Sequence, residues 1–153
     1  MKIRKKIHDN WETPTEFITE YVIPEFGNYE YLDPCPLDAD FNGLEIDWGK
    51  QAFVNPPYNR KDKEAFIRKA FKESKKGCKV VMLLPVSTST KIFHEIIYPH
   101  TDIKFIKGRI KFKGVNSKGE YVENKCGMHD SMLVIFRPHL QLPKQIRRSK
   151  WNN

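Results

Sequence analysis

The sequence predicts an α/β fold in which a mixed, mostly parallel sheet carries helices on both faces. Three observations point there. Residues 79–86, Lys-Val-Val-Met-Leu-Leu-Pro-Val, form a near-continuous apolar run, the pattern of a central strand buried on both sides. Short apolar segments alternate with segments of helical periodicity, the order of a layered sheet with right-handed crossovers. At 153 residues the chain suffices for one domain with a real core.

The elements follow in order. Thr13 can cap a helix over 13–21, Pro14 suits its first position, and Phe17, Ile18, Tyr21 and Val22 share one face. Pro24 and Gly27 end it. Tyr29 to Leu32 reads as a short strand stopping at Asp33-Pro34, and 35–50 is turn-rich. Phe53 and Val54 form a strand that runs into Asn55-Pro56-Pro57-Tyr58. Residues 62–74 form an amphipathic helix burying Phe66, Ile67, Ala70 and Phe71, with Gly77 after its end. Ser87 to Thr90 can cap a helix over 91–98. Residues 103–112 alternate apolar and basic around Gly108, 114–129 reads as a loop, and Met132 to Phe136 is the last strand. Asp33, Asn55 and Pro85-Val86-Ser87 therefore fall at carboxyl ends of strands, where such sheets hold ligands.

The net charge is +8 and the pI about 9.4, a balance suited to a polyanion, of which nucleic acid is the usual one. The charge is clustered over 60–79 and again over 104–118, with no acid from Ile103 to Gly119. No stretch approaches the roughly 20 apolar residues of a membrane span, and no apolar signal region follows the basic N-terminus, so a cytoplasmic location is expected. Cys35, Cys78 and Cys126 are odd in number and scattered, which argues against a disulfide framework. Cys126 and His129 lie three apart without a second pair, so no metal site is expected. Residues 1–10 read as a basic arm, 11–138 as the domain and 139–153 as a basic tail.

Asn55-Pro56-Pro57-Tyr58 is the most informative element. Two prolines fix φ and remove two backbone donors, so the carbonyls before and within the turn are held rigidly. Asn55 adds a side-chain acceptor and Tyr58 a flat ring. Such a site can hold an exocyclic amino group between two acceptors while its base stacks on the ring. That is what methylating the amine of a flipped adenine or cytosine requires.

In this order, the motifs resemble the phage-type, Dam-like DNA N6-adenine methyltransferases, which use S-adenosylmethionine. The resemblance runs from Trp11 to Pro138. It rests on Trp11-Glu12-Thr13-Pro14, Asp33-Pro34-Cys35, Phe53 to Tyr58, Leu83-Leu84-Pro85 and Ile106 to Phe112. It implies a trimmed Rossmann-like methyltransferase fold without a separate DNA-recognition domain. It implies a catalytic turn at Asn55, Pro56, Pro57 and Tyr58. Cofactor contacts would come from Thr13, Pro14, Asp33, Pro34, Cys35, Asp38 and Asn55. Asp38, Asp40, Glu45 and Asp47 all remain candidates for the acid that holds the cofactor ribose. The implied partner is double-stranded DNA, in the cytoplasm of a bacterial host if the gene is a phage's.

On this reading Asn55 Oδ1 and the Pro56 carbonyl bond both amine hydrogens, and positioning supplies the rate without a dedicated strong base. Lys61, Lys63, Arg109 and Lys111 are candidate phosphate contacts. His94 and His129 read as ordinary surface or capping residues. N4-cytosine methylation is an alternative, because the same turn grips either amine. So is a non-catalytic DNA-binding protein on a degenerate scaffold, because the loop after Asp33 lacks the glycine-rich bend of many relatives. RNA or protein methylation uses similar turns.

Overall fold

The computed structural model describes residues 10–37, 39–115, 118–127 and 129–138. Asp38, most of the expected basic arm and the expected tail lie outside the described residues. The described chain has a mixed α/β architecture with three helices and two sheets. The elements are β1 (Asn10–Glu12), α1 (15–26), β2 (Gln51–Val54), α2 (Arg60–Lys75), β3 (Lys79–Pro85), α3 (91–100), β4 (Asp102–Phe105), β5 (Lys111–Val115), β6 (Tyr121–Cys126) and β7 (Ser131–Phe136).

The larger sheet runs β2-β3-β7-β4. β3 and β7 are buried along almost their whole length, which explains why both read as continuous apolar runs. Alternate residues of β3 serve two cores. Val80, Met82 and Leu84 pack with Ile67 and Ala70 of α2 and Ile92 and Ile96 of α3. Val81 and Leu83 pack with Phe17, Val22 and Phe26 of α1 and with Ile110 and Phe112. Helices thus cover both faces. The sheet is less parallel than the sequence predicts, however. β2 pairs parallel with β3, but β3–β7 and β7–β4 are both antiparallel. β7 follows β6 of the second sheet along the chain and runs opposite to both of its neighbours.

The expected strand at 29–32 contracts to one parallel bridge, Leu32 to Ala52, closed by Leu32 N–H to the Gln51 carbonyl and Phe53 N–H to the Leu32 carbonyl (both 2.9 Å). The first helix starts later and runs longer than 13–21. Thr13 makes no capping bond to it, and Pro24 lies inside its last turns. A proline ring clashes with the carbonyl four residues back. Here the turn before it widens to a π-helical stretch, Ile18–Val22, closed by Ile23 N–H on the Ile18 carbonyl. α3 repeats the device: the π stretch Phe93–Ile97 precedes Pro99, and the helix reaches residue 100.

The segment 103–112 is not one strand. Gly108, at φ 77°, turns the chain, and β4 and β5 belong to different sheets. The expected loop at 114–129 contains β6, which pairs antiparallel with β5. β1 completes this second sheet in the order β1-β5-β6, with Trp11 opposite Gly114.

Candidate active site

The carboxyl ends of β2 and β3 point to the same rim because the two strands are parallel. The Asn-Pro-Pro-Tyr turn leaves β2 there and hands directly to α2. Asn59 caps that helix, its Oδ1 accepting from Asp62 N–H at 3.0 Å. This cap starts α2 two residues before the position predicted from periodicity alone.

Asn55 has a defined amide orientation. Its Nδ2 donates to the Trp11 carbonyl at 3.3 Å and to Thr13 Oγ1 at 3.2 Å. A backbone carbonyl only accepts, so the nitrogen must face Trp11 and the oxygen must face away. Oδ1 is buried and has no hydrogen-bond partner among the described residues. An orphaned buried acceptor costs about 1–3 kcal/mol, so each one calls for an explanation, a catalytic role among them. Thr13 is itself buried, so its hydroxyl sits beside Asn55 instead of capping α1.

Pro56 is buried, and Pro57 and Tyr58 are half-buried. The Tyr58 hydroxyl is a second buried atom without a partner among the described residues. Burial pushes its pKa far up, so the phenol stays neutral. The His129 ring stands edge-on to Tyr58 with centroids 6.4 Å apart. His94 Nε2 instead contacts the Thr88 carbonyl at 2.6 Å.

The loop after the short strand is folded on itself. Asp33 Oδ1 accepts from Cys35 N–H at 2.9 Å, a turn typical of aspartate. Crowding by protein desolvates the Asp33 carboxyl and raises its pKa, and the Cys35 N–H opposes this. Cys35 is half-buried and Pro34 is buried. The glycine missing from this loop is supplied from elsewhere. A Cβ on Gly43 would lie 1.8 Å from the Pro34 carbonyl oxygen, so no side chain fits. Gly43 is held there by Trp48, which is 1% exposed, stacks on Phe66 and donates Nε1–H to the Gly43 carbonyl at 2.8 Å. Sequence reading missed both residues; a buried tryptophan in an otherwise polar turn region was the available signal. Of the acids considered, Asp47 Oδ1 is engaged by Gly49 N–H at 2.8 Å, Asp40 and Glu45 are exposed, and Asp38 is outside the described residues.

The structure therefore brings Thr13 and Asn55 into contact and places Asp33, Pro34 and Cys35 on a loop beside β2. The candidate phosphate contacts fall in two places. Lys61 and Lys63 lie in the first turns of α2, while Arg109 and Lys111 lie on the turn into β5 and at its start. Arg109 Nε is 3.9 Å from Asp130 Oδ1. Among the described residues no three His, Cys, Asp or Glu side chains gather as a metal site, and no helix is long and apolar enough to cross a membrane.

Against known proteins, the chain matches the family model of DNA N-6-adenine-methyltransferase (Dam) over residues 1–152. No curated protein and no solved structure matches it.

Proposed function

The chain belongs to the DNA N-6-adenine-methyltransferase (Dam) family, and we propose that Asn55, Pro56, Pro57 and Tyr58 form its catalytic turn. Membership makes it an enzyme that methylates N6 of adenine in DNA with S-adenosylmethionine as methyl donor. The family match selects adenine over cytosine. The observation that carries the residue assignment is the unpartnered, buried Oδ1 of Asn55, aimed away from the two groups that hold its nitrogen.

An exocyclic amine is a weak nucleophile because its lone pair is spread into the ring. Asn55 Oδ1 accepts one amine hydrogen and the Pro56 carbonyl the other, which favours a more pyramidal nitrogen. The two prolines keep these acceptors from relaxing. Tyr58, a neutral phenol, offers its ring as a stacking surface for an adenine flipped out of duplex DNA. Rate then comes from positioning and electrostatics, and the proton leaves once the nitrogen has become acidic.

The rim suits S-adenosylmethionine. An orphaned acceptor waits at Asn55, and Gly43 lets backbone approach Pro34 more closely than any side chain allows. When bound, the cofactor supplies an electron-poor methyl carbon carried on a sulfonium. Thr13 and Pro14 from one side and Asp33, Pro34 and Cys35 from the other would hold it, with an acid of the 38–47 segment on the ribose. The order Leu32 bridge, β2, β3, β7, β4 supports reading the larger sheet as a trimmed Rossmann-like methyltransferase sheet, with 11–138 as the domain.

The test is transfer from labelled S-adenosylmethionine to unmethylated duplex DNA, followed by nucleoside analysis. The expected product is N6-methyladenine. N4-methylcytosine, or no methylated nucleoside at all, would overturn the reading.

A further inference from the structure

A second feature of the same rim is not used by the catalytic turn. A cleft of about 390 Å³ opens between the start of α2 and the segment joining β3 to α3. Its floor is apolar, from Ile67, Leu84, Ile92 and Met132. Its walls carry Arg60, Lys63 and Lys91 against one carboxylate, Glu64, together with the hydroxyl residues Ser87 and Ser89. Arg60 spends part of its charge on Glu64 at 3.4 Å, and exposed Lys91 lies 3.7 Å from Glu95. Lys63 and the hydroxyls of Ser87 and Ser89 have no partner among the described residues.

The backbone that carries the hydroxyl wall is held in place. Thr90 Oγ1 donates to the Ser87 carbonyl at 2.9 Å and accepts from Phe93 N–H at 3.4 Å, while His94 grips the Thr88 carbonyl at 2.6 Å. Groups fixed before binding lose little entropy on contact with a ligand. None of Thr13, Pro14, Asp33, Pro34 or Cys35 lines the cleft. Leu84 and Ile67 place it on the α2/α3 face of the sheet, on which Cys35 also packs, whereas Trp11 packs on the α1 face. Cations and hydroxyls above an apolar floor, within two residues of Tyr58 along the chain, suit a sugar and phosphate rather than a second cofactor pocket.

We propose that this cleft holds one nucleotide of the DNA backbone adjoining the target adenine, its phosphate between Lys63 and Lys91 with the Ser87 and Ser89 hydroxyls, and its sugar on the apolar floor. The inference rests on the methyltransferase reading of the rim and adds Lys91, Ser87 and Ser89 to the DNA contacts.

The experiment measures duplex-DNA affinity against salt, cofactor affinity and steady-state methylation for Lys63→Gln, Lys91→Gln and the pair Ser87→Ala with Ser89→Ala. Each lysine variant is expected to weaken DNA binding about 5–10-fold near 0.1 M salt and to lower the slope of log K against log salt by about 0.9. Cofactor affinity and kcat at saturating DNA stay within about twofold, since uniform binding energy enters KM. The serine pair raises KM for DNA and leaves the slope alone, because hydroxyls release no counterions. Lys50→Gln removes the same charge at the far end of β2 and is expected to leave the slope unchanged. Unchanged slope and KM in both lysine variants would sink the proposal, as would an equal drop for Lys50→Gln. Lost cofactor affinity would reassign the cleft and equally overturn it. The salt slopes need no turnover, so failure here is distinguishable from failure of the wild-type enzyme to make N6-methyladenine.

Discussion

The two ends of the larger sheet treat polar groups differently, although the amino end too holds one buried oxygen without a partner among the described residues, Glu73 Oε2, beside an Oε1 that pairs with Lys69 and Lys76. At the amino end of β3, the side chain of Glu25 of α1 is only 8% exposed and collects three cations: Arg137 at 2.9 Å, Lys79 at 3.7 Å and Lys104 in direct hydrogen-bond contact. Arg137 also donates Nε–H to Asp102 at 2.6 Å. At the carboxyl end, Asn55 Oδ1 and the Tyr58 hydroxyl are buried without partners among the described residues, and Lys63 has none among them. Burial raises the Glu25 pKa, but the Lys104 and Arg137 contacts outweigh it and hold the carboxyl below its ordinary range. Lys79 moves the other way: burial and nearby Arg137 lower its pKa more than Glu25 raises it. The carboxylate is thus better served than Lys79, because its donors converge on it while the cations repel one another. One end spends its polar groups on holding α1 to the sheet. On the proposed reading, the other keeps them for ligands.

Removing the acceptor at the unsatisfied end gives the largest expected effect. Asn55→Ala should cut kcat about 10²–10³-fold, the range for losing one preorganised electrostatic contact to the reacting group. Stability should hardly move. The variant loses two long hydrogen bonds, each worth about 1 kcal/mol or less, and relieves an orphan costing about 1–3 kcal/mol. Thermal melting with a single-turnover methylation assay checks both halves. A large drop in Tm alongside lost activity would show the residue to be structural, and the contrast between the two ends would fail.

Glu25→Gln tests the satisfied end. Breaking a buried ion pair costs about 3–5 kcal/mol, but Lys79, Lys104 and Arg137 keep some solvent, so about 2 kcal/mol is expected. For a chain of this size that is a Tm lower by about 4–8 °C, with kcat and both KM values unchanged. The sign of the pH dependence follows from the lowered carboxyl pKa. The stabilisation is fully present above the ordinary value of 4.5 and is lost as pH falls through the folded-state pKa. The Tm gap between wild type and Glu25→Gln should therefore narrow below about pH 4.5. A constant gap down to pH 3 would mean that packing, not charge, holds α1.

What was legible divides along physical lines. β3, β7 and α2 stand out because burial on two faces demands an unbroken apolar run and burial on one helical face demands a 3.6-residue period. The second sheet was hidden. Lys111, Tyr121 and Glu123 are exposed, so its strands pair through backbone with little apolar signature. Alternation also ran uninterrupted across Gly108, although the chain turns there into another sheet. The proposed catalytic turn was readable because its chemistry is contiguous: acceptor, two prolines and ring. Its orientation was not, since one of the groups that fixes Asn55 is a backbone carbonyl 44 residues away. Every residue has such an atom, so no side chain announces it. Gly43 was unreadable for a related reason: its role is the space it leaves beside Pro34.

The smallest predicted effect examines how the open end is kept in order. β1, through its pairing with β5, places the Trp11 carbonyl, and Thr13 follows two residues on. Thr13→Val keeps the shape and deletes the hydroxyl that accepts from Asn55 Nδ2. The Trp11 carbonyl remains, so the amide keeps its preferred face but is held by one bond of 3.3 Å instead of two. A looser acceptor should lower kcat about 3–10-fold, in keeping with roughly 1 kcal/mol for one neutral hydrogen bond, with little change in KM for either substrate. Thr13→Ser restores the oxygen and should restore the rate, whereas a role in packing would be rescued by valine and not by serine. A rise in KM for S-adenosylmethionine at constant kcat would instead assign Thr13 to the cofactor. In that case the Trp11 carbonyl alone would orient Asn55.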